Sequence, residues 1–248
     1  VWIDEALELF PADHWRYVLL STRPETKDTS FTWDGFIEKV NADLNDTLGN
    51  FIHRALTFVN QYFGGRVPQP TRLSEGDQRI LQSVQEKVEE ASRNLEEFKI
   101  QAALRSVIEI SRIGNRYLNQ KEPWKAIKTN PEDAANTIYV CVQLVKCLAV
   151  TLEPFLPFTA EKVWRLLNLP GSVHEQRWDE ALKPIPSGHK IHEAKPLFRK
   201  VGESPEELQA MLEKIRSKPE TIPYEEFSKL DLRVGRIVEA EPIPKSKH

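Results

Sequence analysis

The chain has 248 residues and a net charge of −3, with 40% hydrophobic and 29% charged residues. That balance suits a folded domain or a domain with appendages, and argues against a broadly basic coat for nucleic acid. Two cysteines and six scattered histidines give neither a disulfide framework nor a zinc-ligand spacing.

No signal-like segment opens the chain, and its longest apolar run, 138–150, is interrupted by Gln143 and Lys146. No membrane span is therefore expected. The start at Val1-Trp2-Ile3-Asp4 rather than Met reads as part of something longer. Cys141 and Cys147 stand six apart, about 120° around a helix. They read as small buried hydrophobes in a reducing, cytoplasmic setting.

The predicted elements are helical almost throughout. Pro11 can open a helix over 12–20, followed by a polar, proline-broken loop over 21–30. A long helix over 32–63 carries Leu44, Leu48, Phe51, Ile52, Ala55, Val59 and Tyr62 on its apolar face and stops at Gly64-Gly65. Ser74 with Asp77 resembles an N-cap for an acidic helix, and a helix over 95–120 follows. Asn130 and Pro131 start another, with Glu132 and Asp133 complementing its dipole, ending near Glu153-Pro154. Thr159 is expected to cap 160–167.

Long helices on short loops make an all-α antiparallel bundle. After it, 171–196 is rich in Pro, Gly, His and Lys and reads as a linker or packed strap. Ser204-Pro205-Glu206-Glu207 starts a short helix to residue 215. Leu230, Leu232, Val234, Ile237 and Val238 alternate as a strand bulged at Gly235, an incomplete β segment.

Two features suggest RNA. Between residues 99 and 128 stand seven cations and only Glu109 and Glu122, a local +5, directly after a −4 stretch over 75–97. Trp124, placed by Pro123, stands within that basic run just past the end of its long helix. A planar aromatic beside cations can stack a base for roughly 1–3 kcal/mol, although a tryptophan here can equally close a helix turn as a core residue. On the long helix, Thr47, Asn50, Arg54, Thr57 and Gln61 share an arc of about 80°. Asn50 and Arg54 are neighbours four apart, able to read base edges or phosphate. The same face also suits plain solvation. No Gly-rich phosphate loop, H-E-x-x-H, G-x-S-x-G or paired acids occur.

Several ordered motifs resemble methionyl-tRNA synthetases of the archaeal and eukaryotic type. They are Trp2-Ile3-Asp4-Glu5-Ala6, Trp15-Arg16-Tyr17, Arg23-Pro24-Glu25-Thr26-Lys27-Asp28, Gly49-Asn50-Phe51, Asn115-Arg116-Tyr117 and Glu122-Pro123-Trp124. The resemblance implies a stem-contact connection over 1–30, a class I α-helical anticodon-binding domain over 31–170 and a strap with a short helix over 171–217. It also implies the start of an OB-type tRNA-binding domain over 223–248, which begins too near the end to support dimerisation. The implied partners are methionine tRNA and a catalytic domain upstream. The implied readers of a CAU anticodon are Asn50, Arg54, Pro123 and Trp124, with the first base stacked on Trp124. His53 stands where many relatives carry Asn.

No K-M-S-K-S or H-I-G-H motif occurs, so ATP and zinc belong by this resemblance to the catalytic half, and the chain alone is expected to be inactive. Phe155-Leu156-Pro157-Phe158-Thr159-Ala160-Glu161 also resembles valyl, leucyl and cysteinyl enzymes. Those, or a non-enzymatic helical scaffold, are the alternatives.

Overall fold

A computed structural model describes residues 2–25, 28–217 and 224–229. Its elements are α1 (Ile3–Leu9), α2 (Ala12–Ser21), α3 (Trp33–Lys39), a π-helical segment (Val40–Gly49), α4 (Asn50–Tyr62), α5 (Glu75–Glu96), α6 (Ile100–Lys121), α7 (Pro123–Thr129), α8 (Pro131–Leu152), α9 (Pro157–Leu166), α10 (Pro205–Arg216) and α11 (Tyr224–Phe227). Among the described residues the β pairing is a single antiparallel bridge between Arg66 and Lys190. The all-α bundle expected from the sequence is the observed fold.

The centre is α8. By length and composition it could cross a membrane, yet 83% of its most apolar stretch is buried inside the bundle. Apolar residues all around this helix require neighbours on every side. α4, α5, α6, α7, α9 and a short 3-10 turn over Trp178–Leu182 supply them. Cys141 and Cys147 are both free thiols within that core, and burial pushes the Cys147 thiol up to about 12.

Local signals set many of the boundaries. Ser74 and Asp77 form a capping box, Asn130 caps α8 through the Asp133 N–H, and Ser204 with Glu207 caps α10. Other expectations are corrected. The helix expected over 95–120 begins at Ile100, because Phe98 turns left-handed (φ 58°) and parts α5 from α6. Thr159 does not cap α9, which begins at Pro157; its N–H instead donates to the buried Asp13 carboxylate of α2 at 2.6 Å. α1 and α7 are helices that the sequence reading leaves out.

The single helix expected over 32–63 contains ten π-helical residues. In that segment the backbone reaches one residue further, as in the Asn50 N–H bond to the Asn45 carbonyl. The Thr47 hydroxyl likewise turns back to the Ala42 carbonyl at 2.8 Å. Thr47 is half-buried, as are Arg54 and Thr57 of the expected polar face, while Asn50 and Gln61 are exposed. Of the β segment, Phe227 ends α11, and residues 230–238 lie outside the described residues.

Two contacts fix the bundle around α6. A Cβ on Gly114 would stand 2.3 Å from the Phe51 ring, so glycine lets α6 approach α4 this closely. Asp77, 1% exposed, accepts from the Tyr117 hydroxyl at 2.7 Å and the Ser74 N–H at 2.9 Å, with Lys121 at 3.5 Å. Burial raises its pKa, but the Tyr117 and Ser74 hydrogen bonds and the Lys121 charge outweigh that and hold it below the usual range. A depressed native pKa stabilises the fold above the unfolded value, near about 3.9, and that stability is lost as pH falls through the native value. Asp77→Asn is therefore expected to cost about 1–3 kcal/mol at neutral pH. Its deficit in urea unfolding should shrink on acidification below about pH 4. Gly114→Ala should cost about 1–3 kcal/mol by overpacking against Phe51, read in the same urea titration.

Candidate nucleic-acid interface

Trp124 is carried by α7, which leaves α6 at a sharp corner. Glu122 adopts the left-handed conformation (φ 42°, ψ 55°), serving as C-cap of α6 and N-cap of α7. Pro123 then takes the first helical position, where its missing N–H costs nothing. Of the two residues, Pro123 is the buried one. Trp124 is 38% exposed, which removes the reading of it as a core residue.

The structure brings Arg54 and Trp124 together. The Arg54 guanidinium carbon sits 5.3 Å from the centre of the indole. A cation in that position is attracted to the ring by about 0.5–2 kcal/mol, depending on desolvation. Two asparagines on α6 aim the guanidinium. The Asn119 side-chain oxygen accepts from it at 2.9 Å and that of Asn115 at 3.4 Å, while the Asn115 amide donates to the Thr47 carbonyl at 2.9 Å. Burial lowers the Arg54 pKa, and a guanidinium remains charged at neutral pH.

Neither Asn115 nor Asn119 is found by looking for charge or aromaticity. Their signal is a pair of amides four apart on one face of the basic helix. Asn50 is exposed one turn before Arg54 on α4 and borders a cleft against the strap rather than the indole. All four expected readers thus lie on α4 or at the α6–α7 corner, with direct contact between Arg54 and Trp124.

The basic run is less open than its +5 suggests. Lys99 pairs with Glu97, Arg112 with Asp43 and Glu109, Arg116 with Glu109, Lys121 with Asp77 and Asp133, and Lys125 with Glu122. Most of these acids come from outside the run, which a count along the sequence misses. Arg105 and Lys128 are exposed. Arg54, held by neutral amides, keeps an uncancelled charge beside an aromatic face that is partly open. This arrangement can take a planar base on the indole and hydrogen-bond its edge or its phosphate. It has no group suited to bond-breaking chemistry.

Residues 67–217 match the family model for the anticodon binding domain of methionyl tRNA ligase, and residues 1–56 that for class I tRNA synthetases of the methionine type. The methionine–tRNA ligase of Pyrobaculum calidifontis is 45% identical over 213 residues, covering 86% of this chain and 36% of that protein. That of Methanopyrus kandleri is 40% identical over 249 residues, covering 98% of this chain and 36% of its own length. The chain therefore spans little more than a third of these relatives. Free-state methionyl-tRNA synthetase of Mycobacterium tuberculosis shares the fold, with a TM-score of 0.77 at 22% identity over 82% of this chain and 42% of that one. A match over more than half the sequence, in the helices that carry Pro123 and Trp124, decides between the synthetase classes and against a scaffold: the chain belongs to the methionyl-tRNA ligase family through its anticodon-binding domain.

Proposed function

We propose that this chain recognises the CAU anticodon of methionine tRNA on behalf of a methionine–tRNA ligase. Its ATP-dependent aminoacylation is carried by another part of the enzyme, in the cytoplasm. The observation that carries this reading is the Arg54 guanidinium held over Trp124 by Asn115 and Asn119. The first anticodon base stacks on the exposed indole surface, and Arg54 and Asn50 supply the polar contacts. Pro123 fixes where the indole stands.

In this division, residues 1–30 connect to the catalytic part and 31–170 read the anticodon. Residues 171–217 form the returning strap, and 223–248 carry the start of an OB-type tRNA-binding domain. ATP belongs to the catalytic part. The zinc implied by resemblance does not fit here, because no group of three or more His, Cys, Asp or Glu side chains gathers among the described residues.

Trp124→Ala should weaken binding of an anticodon stem-loop by about 1–3 kcal/mol while leaving the helical circular dichroism intact. An equal loss for loops with a changed first base would reduce Trp124 to a nonspecific contact. In the complete enzyme, Arg54→Ala and Asn50→Ala should lower tRNA charging and spare ATP-dependent activation of methionine. Loss of activation as well would assign these residues to folding. Titrating loops with each base varied, at several salt concentrations, separates base reading from phosphate attraction, since only the latter falls steeply with salt.

A further inference from the structure

The π-helical segment Val40–Gly49 leads straight into α4, which carries Arg54. π winding is rare and mostly confined to single turns, so ten residues of it call for restraint from outside. Asn41, Asp43 and Asp46 supply it. Asn41 bonds the Val201 N–H and carbonyl, and Asp46 pairs with Lys200 at 2.9 Å, both on the strap. Asp43 reaches the other way, into the bundle. One of its carboxylate oxygens accepts from the Tyr17 hydroxyl of α2 at 2.8 Å, and the other from the Arg112 guanidinium of α6 at 2.8 Å. Tyr17 is 4% exposed, and burial together with the Asp43 charge pushes its hydroxyl up, so it stays a donor.

Two rungs join this segment to α6. The first runs from Asp43 to Arg112. In the second, the Thr47 carbonyl accepts from the Asn115 amide at 2.9 Å. The rungs stand three residues apart on α6 and four apart on the segment. Three α-helical residues rise about 4.5 Å and four about 6 Å, so two α-helices would carry these rungs out of step. Bonds from i to i+5 put more residues into each turn. Spread over a turn of similar height, each residue then rises less, which brings the two spacings together. The second rung carries the effect onward. Asn115 also accepts from the Arg54 guanidinium at 3.4 Å, and that guanidinium stands 5.3 Å from the centre of the Trp124 ring. The register of the segment and the aim of Arg54 are thus joined by a continuous run of hydrogen bonds.

We propose that Asp43 is a positioning residue for tRNA recognition: by tying the π-helical segment to α2 and α6 at once, it places the Thr47 carbonyl and, through Asn115, holds Arg54 over Trp124. The proposal rests on the anticodon reading above and adds a residue that acts through Arg54 rather than on the RNA.

The test is a double-mutant cycle on the 248-residue chain, read as affinity for a CAU anticodon stem-loop. Asp43→Asn should weaken binding by about fivefold, and Tyr17→Phe by a smaller factor, each with the preference for the first base reduced. Long-range attraction cannot produce this loss, because an unpaired Arg112 adds positive charge and would by itself strengthen RNA binding. In an Arg54→Ala chain the same two substitutions should change affinity by less than about twofold, since their effect passes through Arg54. Equal losses in both backgrounds would make Asp43 a residue of general stability and overturn the proposal. A second readout needs no RNA. The indole N–H resonance of Trp124, identified by its loss in Trp124→Phe, should move in Asp43→Asn in the direction that it moves in Arg54→Ala. An unmoved resonance would likewise overturn the proposal. Tyr17→Phe removes one hydroxyl from a packed ring and supplies the test if Asp43→Asn unfolds, which thermal melts reveal. A wild-type chain indifferent to the first base would overturn the anticodon reading, while the resonance would still decide whether Asp43 positions Arg54.

Discussion

Beyond its first turn α8 is buried or half-buried on every face, and the bundle is organised by that constraint. Its neighbours are held in place because they cover it. Its fully buried cation, Lys146, bonds the Glu180 carboxylate at 2.9 Å and the Lys183 carbonyl at 2.9 Å, with a further bond to the Glu180 carbonyl. Three acceptors meet three donors, so the one charge inside α8 ties the strap to the core. Because α4 and α6 both rest on α8, the separation between Arg54 and the α6–α7 corner is fixed by core packing. The site is thus positioned by rigid elements rather than by a loop.

Around that frame, neutral amides do the fine positioning. Asn115 and Asn119 aim a cation, while Asn60, bonded to the Ala194 N–H and the His192 carbonyl, and Asn41, bonded to the Val201 N–H and carbonyl, clip the strap at two points. A carboxylate at 119 could hold Arg54 equally well, but it would cancel the guanidinium charge that the neutral amides leave intact. Asparagine is short enough to lose little rotamer freedom and offers donors and an acceptor at once. The ion pairs elsewhere on α6 show the contrasting use: there, acids from other elements neutralise cations and hold the bundle together.

Features with local causes were legible in the sequence. The caps at Ser74, Asn130 and Ser204 depend on residues three apart, and the Gly64-Gly65 stop on backbone freedom. The bundle and the placing of Asn50 and Arg54 four apart on one helix followed from pattern, and the role proposed for Trp124 rests on resemblance. What escaped notice has causes distant along the chain. Asp13 serves α9 from α2, 146 residues away. Glu122 makes a left-handed corner without glycine, so nothing announced α7. The π-helical winding of Val40–Gly49 departs from a single 3.6-residue period, and no local residue pattern announces it. The cations of α6 are partly neutralised by Asp43 and Asp77, which come from other elements and so do not enter a count along its own stretch.

The strap's two clips also say something about order of assembly. Asn41 bonds a residue 160 positions later in the chain. A ribosome adding roughly 5–20 residues per second takes on the order of 10–30 s to make that stretch. During that interval α4 exists without the wall that completes its cleft. Contacts so far apart are expected to close after local ones, so the helices can associate first and the strap is laid on afterwards. The wall that borders Asn50 is made well after the helix it rests on, and a chain stalled or nicked before residue 192 would carry the earlier helices with that cleft open on one side.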